Sequence, residues 1–189
     1  GTDILIKTIS SIIKENHNIL FLFLPRNMPY AERYLPYLNQ FPKNVQVISQ
    51  EVKVEEYVAL ADLVVLPYIT LDGTEGNPSC LLEAMASQTP VITSDLPELQ
   101  EITKDSVLMV KPNDVFSLKE KILLALNSYP PELVEKAHRE VQKFSIETIS
   151  QEFLEVYHEL YKKMNSNKSS TGIFRSKSRA IKKINSNFG

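Results

Sequence analysis

The sequence predicts an α/β fold: a Rossmann-like parallel sheet flanked by helices, with further helices and a disordered basic tail at the carboxyl end. Three observations predict it. Short apolar runs alternate with amphipathic helical stretches through the first 130 residues, the pattern of a parallel sheet with helical crossovers. The run 19–24 (Ile-Leu-Phe-Leu-Phe-Leu) is continuously apolar, the look of a strand buried on both faces, and 63–66 (Leu-Val-Val-Leu) is a second short apolar strand. Between two of the strands lies a Gly- and Asn-bearing acidic loop leading into a helix, the position at which open parallel sheets hold ligands.

Taken in order, Thr2 and Asp3 open the first helix as candidate caps. Ile4, Leu5, Thr8, Ile9, Ile12 and Ile13 recur at helical spacing and give it one apolar face. Residues 15–18 end it, and 19–24 is the first strand. Residues 25–42 are rich in tyrosine and broken by Pro29 and Pro36, with a short helix expected over 31–39. Strands follow at 45–49, 63–66, 90–93 and 107–110, with helices at 54–61 and 78–87. Asp95-Leu-Pro-Glu98 reads as a capping box with proline in the first turn. Helices are expected over 114–126, 131–143 and 147–163. The last carries Ile149, Phe153, Val156, Tyr157 and Leu160 on one face. The domain therefore spans 1–164. From Asn165 onward the chain is polar and of low complexity, so 165–189 reads as a disordered tail.

Composition narrows the function classes. The chain has 189 residues, 43% of them hydrophobic and 23% charged, enough for one domain with a real core. No apolar run is long enough to span a bilayer. The first residues show no basic segment followed by an apolar block, so no leader peptide is expected, and a cytoplasmic location or a peripheral one at the membrane fits. Cys80 is the one cysteine and has no internal disulfide partner. The net charge of −2 hides an asymmetry. Residues 162–189 carry eight Lys/Arg and no acids, so the remaining 13 basic residues face all 23 acidic ones, a net of −10. An acidic body does not suit nucleic acid, which needs an excess of cations to meet phosphates. The tail has two readings, a solvated end or a contact with anionic lipid head groups.

The loop and helix from Gly73 to Ala86 carry the chemistry. Asn77 is a good cap and Pro78 suits the first helical position, where its amide is not needed. The amides of Gly76, Asn77, Ser79 and Cys80, at a helix start, would hold a phosphate. Glu75 and Glu83 are hydrogen-bond acceptors, suited to sugar hydroxyls rather than to phosphate. Amides for phosphate beside two carboxylates for hydroxyls would suit a nucleotide sugar. The plainer readings are a loop acid near a helix dipole for Glu75 and a solvated helix acid for Glu83. Cys80 reads as a small packed residue, since no histidine lies near it in sequence. His17, His138 and His158 have neither metal nor triad spacing, and no Cys/His or acidic cluster points to a metal. Tyr30, Tyr34, Tyr37 and Tyr68 are packing residues or the aromatic lining of a sugar or base pocket.

Glu75 and Glu83, with seven residues between them, resemble the motif of GT-B glycosyltransferases of the group 1/family 4 type. The flanks resemble it too: Ala61-Asp-Leu-Val-Val-Leu-Pro67 before, Leu82-Glu-Ala-Met-Ala-Ser87 within, and Pro90-Val-Ile-Thr-Ser-Asp95 with Pro97-Glu98 after. The resemblance covers residues 1–127, the family's carboxyl-terminal, donor-binding domain. It implies a retaining transfer from a nucleoside diphosphate sugar by a hexosyltransferase, without metal or other cofactor. Glu75 would bind the donor sugar and act in catalysis, and Glu83 would bind the ribose. The backbone of Gly76, Asn77, Pro78, Ser79 and Cys80 would face the diphosphate. The acceptor, whether lipid, glycan or small molecule, would be bound by an amino-terminal domain or partner chain.

The resemblance has departures. Gly1 stands where the family has the glycine of a Lys-Gly pair, so the cations that hold the diphosphate, and a central strand, fall upstream. The chain is then expected to be a fragment, or the strands at 19–24 and 63–66 to close the gap. Pro78 stands where many members have glycine and removes one amide. Gln88 also replaces a glycine, which implies local strain if the backbone there needs a positive φ. An alternative from another class is a non-catalytic GT-B half acting as a binding or partner subunit. An epimerase of the same architecture is disfavoured, because the acid/base carboxylates it needs are not found.

Overall fold

A computed structural model describes residues 1–25, 32–72 and 78–168. The chain divides into two compact units, Gly1–Phe144 and Ser145–Gly189. In the first, helix α1 (Thr2–Glu15) leads to strand β1 (Phe21–Phe23), a 3-10 turn (Glu32–Tyr34), helix α2 (Leu35–Leu38) and strand β2 (Val45–Val47). Helix α3 (Val54–Leu60), strand β3 (Val64–Leu66), helix α4 (Ser79–Ala86) and strand β4 (Val91–Ser94) follow. Helix α5 (Pro97–Thr103), strand β5 (Leu108–Val110) and helices α6 (Val115–Asn127) and α7 (Pro131–Val141) complete it, with a closing 3-10 turn at Gln142–Phe144.

All the ladders are parallel. Phe21 faces Val45 in one pair of strands, while Val64 faces Val91 and Ile92 faces Leu108 in the other sheet. The five strands thus form two sheets, β1-β2 and β3-β4-β5, and no ladder joins β1 to β3 among the described residues. The expected closure of the gap by these two strands does not occur. Nor is the run 19–24 buried on both faces, since Leu20 and Leu22 are 54% and 39% exposed.

Side chains leave a strand alternately to its two faces, and that alternation builds the core. Ile92 and Val110 point to one face, where Ile4, Ile9 and Ile12 of α1 and Leu118 and Ile122 of α6 cover them. Phe21 and Val45 of the smaller sheet join that same cluster. Val91 points to the other face, against Leu81, Ala84 and Met85 of α4, Leu99 and Ile102 of α5, and Ala137 and Val141 of α7. Each fully buried leucine or isoleucine contributes roughly 1.5–3 kcal/mol. Strand β4 is buried along its whole length because helices cover both faces and strands flank both edges.

Several helix starts differ from expectation. Neither Thr2 nor Asp3 caps α1; Gly1 is the cap residue, and its carbonyl accepts from the amides of Ile4 and Leu5. Asp95 does not cap α5, which begins one residue later with Leu96 at the cap and Pro97 first in the helix. The Asp95 carboxylate instead accepts a hydrogen bond from the side-chain Nε2 of Gln100. Asp114 does cap α6, accepting from the Ser117 amide at 2.9 Å. Lys119 of α6 pairs with Glu15 at the carboxyl end of α1, where a lone acid would face the negative end of the helix dipole.

In the second unit, Ser145 receives the Thr148 amide at 3.2 Å, and helix α8 (Ile146–Lys168) follows. The helix runs through Asn165, Ser166 and Asn167, residues expected to lie in the tail. Once nucleated, a helix gains one hydrogen bond per added residue, so polar residues prolong it cheaply. Phe153, Val156, Tyr157 and Leu160 are each at least half exposed. Residues 169–189, most of the expected tail, lie outside the described residues.

Candidate functional site

The carboxyl ends of β3, β4 and β5 line up on one rim. The Thr93 hydroxyl donates to the Leu66 carbonyl at 3.0 Å, and the Asp95 amide donates to the Val110 carbonyl at 2.8 Å. Gly1, at the start of α1, reaches the same rim. A Cβ on Gly1 would stand 1.7 Å from the Pro67 carbonyl oxygen, so no side chain fits there. The Arg33 guanidinium lies close enough to Gly1 to act on it electrostatically. Arg33 thus brings positive charge toward this end of the sheet, a residue that nothing local in the sequence singles out. Its guanidinium stacks over the Tyr34 ring at 4.6 Å and donates to the Tyr34 hydroxyl at 2.5 Å.

Helix α4 rises from this rim. Pro78 occupies the cap position rather than the first helical one, and its carbonyl accepts from Leu81 at 3.0 Å and Leu82 at 3.3 Å. Proline's fixed φ suits an extended cap as well as a helical residue, which is why the sequence alone misplaces it by one. Pro78 is buried and offers no amide. Ser79 is exposed, and its amide has no partner among the described residues. Cys80 is half-buried and lies beside Tyr68, whose phenol is pushed up to about 12, first by burial and then by the thiol. Tyr68 packs into the core under α4, so it takes the packing role.

Glu83 lies one helical turn further along α4. It is half-buried, on the side away from Leu81, Ala84 and Met85, and makes no ion pair among the described residues. Glu75, Gly76 and Asn77 lie outside the described residues. The structure therefore brings Ser79, Cys80 and Glu83 onto one short helix at the sheet's carboxyl rim. It also places the Ser94 hydroxyl there, at the end of β4, buried and without a hydrogen-bond partner among the described residues. The sequence gives no sign of Ser94, because its burial depends on neighbouring strands.

The far end of α4 is held by two devices. The Thr89 amide donates to Ala84 at 3.0 Å and the Gln88 amide to Met85 at 3.3 Å, the paired closure that favours glycine at the first position past the helix. Gln88 occupies it with φ 58°, so the strain expected from its replacing a glycine is present. His138 of α7 then donates from Nδ1 to the Ala86 carbonyl at 3.1 Å, which fixes the proton on that nitrogen. Tyr37 is 59% exposed and Tyr34 packs against the core, while Tyr30 lies outside the described residues.

Among the described residues, no group of His, Cys, Asp and Glu is arranged to hold a metal ion, and no helix is long and apolar enough to cross a membrane.

The family model described as "Glycosyl transferases group 1" matches residues 1–128. Solved structures resemble the chain at low identity. A glycosyltransferase from Rickettsia africae aligns with a TM-score of 0.71 at 19% identity, over 84% of this chain and 44% of that one. Anabaena HepE, solved with UDP-glucose, aligns at 0.70 and 16% identity, over 84% and 45%. The sucrose-phosphate synthase of Thermosynechococcus elongatus aligns at 0.65 and 22% identity, over 83% and 42%. This chain spans less than half the length of each. No curated protein matches it.

Proposed function

Because the chain belongs to the group 1 glycosyl transferases, with the fold of a GT-B half, we propose that it is the donor-binding half of a retaining hexosyltransferase that uses a nucleoside diphosphate sugar. The observation that carries the reading is Glu83, a half-buried carboxylate without an ion pair among the described residues, on a helix that starts at the carboxyl rim of a parallel sheet. An acceptor-only group in that position suits the donor hydroxyls of a ribose.

In this reading the amides of Gly76, Asn77, Ser79 and Cys80 meet the diphosphate. They act where charge develops as the sugar–phosphate bond breaks, and such fixed donors lower the barrier without reorganising. Pro78 contributes shape and no donor. Glu75 holds the sugar hydroxyls and orients the reacting carbon. No metal is required, because helix-end dipoles and cations take its place. Arg33 supports the same reading by placing a guanidinium near the Gly1 end of the rim. The acceptor, a lipid, glycan or small molecule, is then bound by an amino-terminal domain or a partner chain.

The test is calorimetric titration of the full gene product carrying this chain with UDP-, GDP- and ADP-glucose. One of the three binds, and Glu83→Ala weakens it by roughly 10- to 150-fold, the loss of a charge-assisted hydrogen bond. Heat-silent titrations with all three donors, in a protein that remains folded, overturn the reading.

A further inference from the structure

Helix α4 is fastened at the end away from the rim. At its start Pro78 supplies no side-chain cap, and the Ser79 amide has no partner among the described residues. The last four carbonyls of a helix have no partner within it, and here each has found one. The Glu83 carbonyl accepts from the Ser87 amide at 2.9 Å, Ala84 from Thr89 at 3.0 Å, and Met85 from Gln88 at 3.3 Å. These three donors come from the chain that follows. The fourth, for Ala86, is His138 Nδ1 at 3.1 Å, from 52 positions away on α7.

Leu81, Ala84 and Met85 press α4 into the core beside Ala137 and Val141 of α7. Apolar contact has no direction, so it holds the helix against its neighbours without fixing its place along its own axis. Hydrogen bonds do have direction. The Thr89 hydroxyl reaches the Val58 carbonyl of α3 at 2.9 Å, and His138 reaches Ala86, so the end of α4 is tied to two other helices. α7 is itself anchored, since Lys136 donates to the Asp105 carbonyl beyond α5 at 3.3 Å. Gln88 sits among these ties with φ 58°, a conformation that persists in a non-glycine residue only where its surroundings over-determine it.

α4 has eight residues, and Glu83 stands one turn before Ala86, so whatever places Ala86 also places Glu83. We infer that His138 is a positioning residue for the nucleotide site: its bond to the Ala86 carbonyl sets how far α4 reaches toward the rim, and hence where the Glu83 carboxylate stands. This role rests on the reading of Glu83 as the ribose ligand given above. Ala86 is exposed, so water replaces a lost donor there and little stability is at stake. What the bond supplies is placement, and it biases placement by no more than its own worth, roughly 2- to 10-fold in binding.

Calorimetry on the full gene product tests it, with whichever of UDP, GDP and ADP binds and with the counterpart lacking both ribose hydroxyls. His138→Asn keeps an N–H donor at the same place along the side chain, and His138→Leu has nearly the same shape without the donor. The leucine variant binds the nucleoside diphosphate roughly 2- to 10-fold more weakly, and the asparagine variant binds like the wild type. The counterpart without hydroxyls binds all three alike. In a Glu83→Ala background His138→Leu costs nothing further, because both residues act through one contact. A merely structural histidine behaves otherwise. The leucine variant then loses the same factor for both ligands, or the same factor with and without Glu83, and either result overturns the inference, as does unaltered binding. His138→Ala takes the place of the leucine variant if that one does not fold. If Glu83→Ala binds both ligands as the wild type does, the ribose reading fails and this role fails with it. If Glu83→Ala discriminates between the ligands and His138→Leu does not, this role alone fails.

Discussion

Tyr129 and Val91 are joined twice, across 38 positions of sequence. The phenol donates to the Val91 carbonyl at 3.0 Å and accepts from the Val91 amide at 3.3 Å. Tyr129 follows the end of α6, so this contact pins that helix to the amino end of β4.

Replacing Tyr129 by phenylalanine keeps the ring and removes both bonds. Val91 is 1% exposed, and its backbone groups then lose the hydrogen-bond partner they share. Tyr129→Phe is expected to cost roughly 1–3 kcal/mol. Urea denaturation checks it: the midpoint falls while the slope stays constant, since the surface exposed on unfolding is unchanged.

Gln88→Gly is expected to stabilise the protein. The side chain is exposed and contributes little packing, while φ 58° costs a non-glycine residue roughly 1–2 kcal/mol. Glycine's greater freedom in the unfolded chain offsets part of this, leaving a net gain of about 0.5–1 kcal/mol. Thermal unfolding should shift upward by about 1–4 °C, with Gln88→Ala as the control that leaves the strain in place.

Tyr68 makes stability fall at high pH. Its folded pKa is raised from 10.0 to about 12, chiefly by burial. The folded state therefore holds a proton that the unfolded state releases, so the contribution is complete below pH 10 and is lost as pH rises toward 12. Phenolate absorbance should show Tyr68 titrating late in the folded protein, alongside Tyr129, whose phenol burial also raises. Tyr68→Phe removes one of these late phenols and flattens this part of the stability–pH curve; an unchanged curve contradicts the assignment.

Much of the fold was legible because its signals are local. Ile4, Ile9 and Ile12 fall on one face of a helix whatever else the chain does, and all three are buried where the spacing puts them. Asp114 caps its helix because the cap and the amide it binds are three residues apart. The caps that failed, Thr2, Asp3 and Asp95, failed by one or two positions, because the angle at which the chain enters a helix is set by what it packs against. Within the candidate site, the helix bearing Ser79, Cys80 and Glu83 was legible, and only its exact start was not. Glu75, Gly76 and Asn77 lie outside the described residues.

By itself, then, the sequence determined the order of strands and helices, the parallel α/β class, the helix that carries Glu83, and the strained position of Gln88. The first three follow from periodicity or from a motif within a dozen residues, and the position of Gln88 from the resemblance to the family, which has glycine there. Only the tertiary structure decided that the described strands form two sheets, that Tyr129 grips Val91, and that His138 holds the end of α4 through Ala86. Those contacts join residues tens of positions apart. No local pattern encodes which strands pair or which distant side chain reaches them, since both depend on how the helices settle against the sheet.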